Sequence, residues 1–396
     1  MQQVIAGRLM QRYAAAGTTE DLEHCERLIN LAPDEASREL LIVGLNKAFQ
    51  ARTLPPLPGD LEQALRAYQA ARGDSGVVLA VRQGSTEALP AALKLLQQGS
   101  TDSGLQIEIV KAFGEVKYTA AQNTMLKLAI GQSTSEPALQ RVALQAITIF
   151  DDPQIARSIA SSFDNRIPAE HSLRETACRS LASRESWALT ILNEVNSWRL
   201  KPNDIPADVV QRLRTFANPD IVSAVERAFG KAADISSPEK VAQIESLTGL
   251  LQDGGGNPQA GALQFRERCA TCHRLFGEGQ QIAPALDNYD RGNLKFWLPS
   301  IVAPSIEIRE GYQSYLALTD DDRVLTGMIA AEDLRTITLR TADNQLVSLP
   351  KEELVELRAL PTSLMPEDTL KDMSDQQLLD LFAYLMSNRE APSVAQ

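Results

Sequence analysis

Three segments constrain the fold most: LQIEIVKAFGEV from Leu105, LQRVALQAITIF from Leu139 and LRETACRSLASR from Leu173, each 34 residues after the last. Their apolar positions stay in register. Leu105, Leu139 and Leu173 align, as do Ile109, Ala143 and Ala177, and then Phe113, Ile147 and Leu181. A second apolar helix follows each segment, near 119–130, 152–163 and 186–195. A unit of two helices cannot bury its own apolar face, so neighbouring units are expected to stack.

The period also fits tetratricopeptide repeats, but their Trp-Leu-Gly-Tyr pattern is missing. Asp152-Pro153 and Asn218-Pro219-Asp220, set between helices, look more like HEAT-type repeats. Residues 1–251 therefore read as a HEAT-like α-solenoid, less regular at 1–75 and 200–250. Stacked repeats make extended concave surfaces, and such a surface is expected to dock on a partner.

Composition agrees with a mainly α fold, since aromatics are only 5% of the chain while Ala, Leu and Gln recur. A net charge of −12 argues against nucleic acid, which demands a basic footprint. It permits steering toward a basic protein partner. No apolar run is long enough to span a bilayer, so no transmembrane segment is expected. Met1-Gln2-Gln3-Val4 has no basic-then-apolar signal pattern.

Residues 252–257, with Asp253-Gly-Gly-Gly-Asn257, read as a linker. A helix through GALQFRERC should open at Pro258 with Asn257 as its N-cap. A loop-rich stretch to about Asn288 and a short helix around Leu294–Val302 come next. SYLALT (314–319), RVLTGMIA (323–330), RTITLR (335–340) and QLVSLP (345–350) then predict a small antiparallel sheet. Ser374-Asp-Gln-Gln377 forms a capping box that opens a last helix carrying Leu378, Leu381, Phe382 and Leu385 on one face.

Cys269-Ala270-Thr271-Cys272-His273 is a C-x-x-C-H motif, the attachment signature of c-type haem. Two thiols three residues apart near a helix end reach two vinyl groups of one haem, and the next histidine falls under the iron. A zinc knuckle needs four ligands, and the other Cys and His residues are few and distant in sequence. A thioredoxin-type dithiol expects a preceding strand, whereas a helix precedes this motif. Cys25 and Cys178 are isolated, so no disulfide framework is expected. Gly261 and Phe265 on the first helix, with Leu381 and Tyr384 on the last, match a crossing of first and last helices in a cytochrome c fold. The carbonyl of Pro284 is placed to accept the His273 Nδ1–H bond.

Met328, Met365, Met373 and Met386 follow the motif, and no histidine does. Met365, in Ser363-Leu-Met-Pro366 just before the last helix, is the expected sixth ligand, so His273 and Met365 are the expected iron ligands. The 92-residue gap from His273 is explained if the sheet at about 314–350 is an insertion. His/Met ligation implies a raised potential and an electron-transferring iron. Trp297 either lines the haem pocket, donating to a propionate, or simply packs in the core.

Residues 258–388 resemble the haem-binding domain found in planctomycete and verrucomicrobial proteins. CATCH (269–273), Pro304-Ser305-Ile306, Gly311-Tyr312-Gln313-Ser314-Tyr315, Arg323-Val-Leu-Thr-Gly327, Ile337-Thr-Leu339, Ser363-Leu-Met-Pro366 and Asp380-Leu-Phe-Ala-Tyr384-Leu carry the resemblance. Asp322 stands where that family's turn usually has Gly, and Ala283 where cytochrome c folds often have Gly. The resemblance implies a helical-repeat segment followed by a haem domain. It also implies an electron acceptor for a dehydrogenase or other redox protein, in the periplasm or otherwise outside the cytoplasm. The expected cofactor is one covalent haem c with its iron, in a cytochrome c domain at 258–390. Nothing in the sequence marks this chain as an enzyme; a haem peroxidase or a haem-based redox sensor is the alternative.

Overall fold

The computed structural model describes residues 2–49, 57–71, 74–99, 102–134, 136–163, 165–230, 237–252, 254–367 and 369–387. Asp253 of the expected linker and residues 388–390 lie outside them.

Short helices fill the first part of the chain. They are α1 (Gln2–Ala16), α2 (Thr19–Asn30), α3 (Glu35–Ala48), α4 (Gly59–Ala71), α5 (Asp74–Arg82), α6 (Ala88–Gln98) and α7 (Ser103–Glu115). Then come α8 (Gln122–Ala129), α9 (Pro137–Ala146), α10 (Pro153–Ser161), α11 (Leu173–Leu181), α12 (Glu185–Asn196), α13 (Ala207–Leu213) and α14 (Pro219–Phe229). Two second-row helices start at a proline behind an acidic or amide cap. Asp152 accepts from Gln154 N at 2.9 Å and Asn218 from Asp220 N at 2.9 Å. Proline costs nothing there, because the first-turn N–H has no helical partner anyway.

In one row α5, α7, α9 and α11 pack side by side; α10, α12 and α14 line up in the other. Every in-register position of the repeat is buried, from Leu105, Leu139 and Leu173 to Phe113, Ile147 and Leu181. Helices α1 to α4 close around a separate core that includes Met10, Cys25, Leu45 and Leu65.

Four more helices are α15 (Pro238–Gln252), α16 (Pro258–Arg268), α17 (Leu294–Val302) and α18 (Asp375–Leu385). Helix α15, inside the stretch that reads as repeat in the sequence, packs against α17 and α18. Its Leu247 and Leu251 join their core. A short hairpin, β1 (Arg274–Leu275) and β2 (Glu278–Gly279), follows the C-x-x-C-H motif.

The larger sheet holds β3 (Ser314–Thr319), β4 (Val324–Glu332), β5 (Thr336–Arg340), β6 (Leu346–Pro350) and β7 (Leu354–Ala359). Its order is β6-β5-β4-β3-β7, antiparallel throughout. Strand β7 lies beyond the expected limit of 350. Leu-Val-Glu-Leu-Arg-Ala is ambiguous by propensity, and pairing with β3 makes it a strand. Asp322 takes φ 62 in the β3–β4 turn, so the turn is made with a left-handed Asp where the resembling family has Gly.

This sheet rests on turns inside the helix pairs and on α13. Lys117, after α7, pairs with Glu353 at 3.5 Å. Ser183, after α11, accepts from Val324 N at 2.7 Å. Arg184 donates to Thr148 O at 2.7 Å and also to Asp321 O. Arg212 reaches Thr326 Oγ1 at 3.0 Å. Leu316, Val324 and Leu360 enter the core of the stack itself. The edge of the stack that carries these residues is thus covered by the chain's own sheet.

Candidate haem-binding site

Helix α16 carries the motif at its C-terminal end. Cys269 N–H still bonds Phe265 O at 2.8 Å, and then the chain turns. Cys272 N and His273 N both donate to Cys269 O, at 3.1 and 2.8 Å. Cys272 O in turn accepts from Ile282 N and Ala283 N at 3.0 and 2.9 Å. Ala283, where cytochrome c folds often have Gly, is accommodated in this arrangement. Gly279 at φ +92 passes so near that an added β-carbon would stand 2.2 Å from His273 O. Arg266 grips Glu278 with two bonds of 3.0 and 2.8 Å, tying the hairpin back to α16.

The crossing of α16 with α18 holds this platform. Gly261 lies on the main chain of Asp380, and Phe265 meets Tyr384 at 5.5 Å between ring centroids. Asp380 Oδ1 accepts from Asn257 N at 2.7 Å, a cap absent from the sequence reading. Its only signal there was an acid on the apolar face of the last helix. The capping box of Ser374 and Gln377 is complete, with both reciprocal bonds made.

His273 Nδ1 stands 2.8 Å from Pro284 O. A carbonyl can only accept, so Nδ1 carries the proton and Nε2 keeps its lone pair for a metal. Burial lowers the imidazole pKa, against the opposing effect of the Pro284 bond, and so favours the neutral ring that ligates iron. Cys269 and Cys272 are free thiols. Burial pushes Cys269 up to about 12. It raises Cys272 as well, where Asp208 of the helical stack adds to the rise and Arg179 opposes it.

Among the described residues no three His, Cys, Asp or Glu side chains are grouped to hold a metal ion, as a zinc knuckle would require. Two neighbouring thiols and one oriented imidazole fit a covalently held haem: Cys269 and Cys272 would attach the macrocycle and His273 would offer Nε2 to its iron.

Trp297 is 3% exposed and its Nε1–H donates to Asp290 O at 3.1 Å. The indole N–H is therefore used within the protein, and the ring packs in the same core as Phe265 and Leu381. Met365 lies against this core, and so do Met373 and Met386; Met328 is buried in β4. Packing alone does not single out one methionine. The Met365 loop is tied by Ser363 N to Ser305 Oγ at 3.1 Å and by Met365 N to Ser363 Oγ at 3.1 Å.

Residues 258–328 match the family model described as Cytochrome c. A cytochrome c domain is therefore present, and this family implies haem c with iron and a role in electron transfer. The match ends at Met328 within β4, so Met365 and α18 fall outside it. No curated protein matches the chain. Among the described residues no helix is long and apolar enough to cross a membrane.

Proposed function

We propose that the chain binds one haem c through thioethers at Cys269 and Cys272, with His273 and Met365 as the axial iron ligands. The observation that carries this reading is the 2.8 Å contact between His273 Nδ1 and Pro284 O, which leaves Nε2 free beside two unpaired thiols. Bound haem supplies a one-electron centre. The protein's part is to attach it, orient the proximal ring and surround it with the apolar core of α16, α17 and α18. Met365 is supported by its place in a braced loop ahead of α18. Trp297 shapes the pocket wall by packing.

The chain serves as an electron-transfer module for a dehydrogenase or other redox protein, in the periplasm or another extracytoplasmic compartment where haem c is attached. The resemblance to planctomycete and verrucomicrobial haem-binding domains supports this setting. The HEAT-like stack, residues 1–251 in the sequence reading, serves as the frame on which the cytochrome domain is mounted.

The test is to express the chain with an export signal and cytochrome c maturation machinery, denature it, and record the reduced spectrum. Haem absorbance should stay with the denatured polypeptide and vanish in Cys269→Ala/Cys272→Ala. A colourless wild-type protein would overturn the reading.

A further inference from the structure

We infer that Lys240, on α15 and outside the stretch that matches the cytochrome c family, is a positioning residue for the Met365 loop. The inference rests on the reading of Met365 as an axial ligand. The Lys240 side chain is only 10% exposed, yet its Nζ lies 2.7 Å from Glu367 Oε2. Among the described residues Glu367 is the carboxylate that pairs with this ammonium, by charge and proximity, since no acceptor meets Nζ in hydrogen-bond geometry. Lysine is almost never buried unless it is paired, because an uncompensated ammonium loses its hydration without return. Lys240 therefore holds Glu367 in place.

Glu367 is two residues beyond Met365, with Pro366 between them. The proline ring fixes one of the few backbone torsions separating the ion pair from the thioether. Helix α15 is itself anchored by Leu247 and Leu251 in the core shared with Phe265 and Leu381. Thus the pair links the methionine loop to the apolar core that also packs the helix carrying the motif. Besides the Met365 N–Ser363 Oγ bond, three other tethers act on the loop. Ser305 holds Ser363 N, Thr369 Oγ1 donates to Pro366 O at 2.7 Å, and Arg268 donates to Thr369 O and Lys371 O at 3.2 Å each. Lys240 acts by direct ion pairing from outside the matched cytochrome stretch, and Arg214 of the helical stack adds a second positive charge near Glu367.

The haem-loaded full chain carries the test, with two readouts. One is the long-wavelength sulfur-to-iron charge-transfer band of the ferric protein. The other is the affinity for added imidazole, which competes for the sixth position. Lys240→Met should weaken the band and tighten imidazole binding about tenfold, because apparent affinity follows the fraction of chains with the loop displaced. Glu367→Gln should act in the same direction. The exposed pair Lys351–Glu332, 2.6 Å apart on the sheet, gives the control, and Lys351→Met should change neither readout. Unchanged band and imidazole affinity in Lys240→Met, with the band lost in Met365→Ala, would overturn the positioning role and leave the ligand reading standing. A band that persists in Met365→Ala would sink the ligand reading, and this inference with it. Should Lys240→Met fail to fold, Glu367→Gln decides the question by the same two readouts.

Discussion

Gly261 presses on the main chain of Asp380, so that a β-carbon on Gly261 would stand 1.9 Å from the Asp380 carbonyl oxygen and 2.8 Å from Tyr384 Cβ. No side-chain rotation relieves a clash with backbone. Gly261→Ala must therefore separate α16 from α18 and tilt the helix that presents Cys269. The expected cost is about 3 kcal/mol or more, at the upper end for overpacking. Chemical denaturation measures it, and the yield of haem-loaded protein should fall in parallel. A loss under about 1 kcal/mol would show that the crossing is looser than described.

Arg184 joins the helical stack to the sheet. Its side chain is 1% exposed, and it bonds Thr148 O while meeting Asp321 through both the carbonyl and the carboxylate. Arg184→Met removes the guanidinium from Thr148 O and Asp321 O and takes one of two positive partners from the Asp321 carboxylate, which keeps Arg323 and the Thr319 hydroxyl. The denaturation midpoint should drop by the equivalent of about 3–5 kcal/mol, the range for breaking a buried charged pair. Arg184→Lys should recover only part, since an ammonium lacks the planar fork that reaches both sides. Full recovery by lysine would mean that charge alone suffices.

Acid should weaken the same contact. Burial acting alone would raise the Asp321 carboxyl, but Arg323, the Thr319 hydroxyl and Arg184 outweigh it and hold it below the ordinary carboxylate range. As pH falls, the unfolded chain, with Asp near about 3.9, takes up this proton before the folded one. Asp321 thus stabilises the fold above that value, and its contribution is lost as pH falls through the lower folded value. Between about pH 5 and pH 3 the wild type should lose stability faster than Asp321→Asn. Parallel curves for the two proteins would contradict this.

The isolated cysteines should be silent. Burial pushes both Cys25 and Cys178 up to about 12, so almost no thiolate exists at neutral pH. In Cys269→Ala/Cys272→Ala a thiol reagent should label nothing while the chain is folded, then both remaining cysteines on denaturation. Rapid labelling of folded protein would place one of them at the surface.

Features decided by near neighbours were legible in the sequence. Pro258 behind Asn257, the capping box at Ser374, the helix Leu294–Val302 and the first four strands of the larger sheet all stand where local patterns put them. The contact of His273 with Pro284 was legible too, because only eleven residues separate them. Strand β7 was not, since Leu354–Ala359 becomes a strand only by pairing with β3. Nor was the side on which α15 packs, because apolar residues at helical spacing say that a face is buried but not against what.

The sequence by itself determined the chemistry and the units: a C-x-x-C-H motif at a helix end, a 34-residue helical repeat, and a β segment between His273 and the last helix. Only the tertiary structure decided how the units meet. It seated the sheet on the stack through Ser183 and Arg184 in a turn and Arg212 in α13, and it brought Lys240 to Glu367. These contacts join residues that are distant along the chain. Their partners are selected by shape and by the need to satisfy buried charge, and neither leaves a periodic trace in sequence.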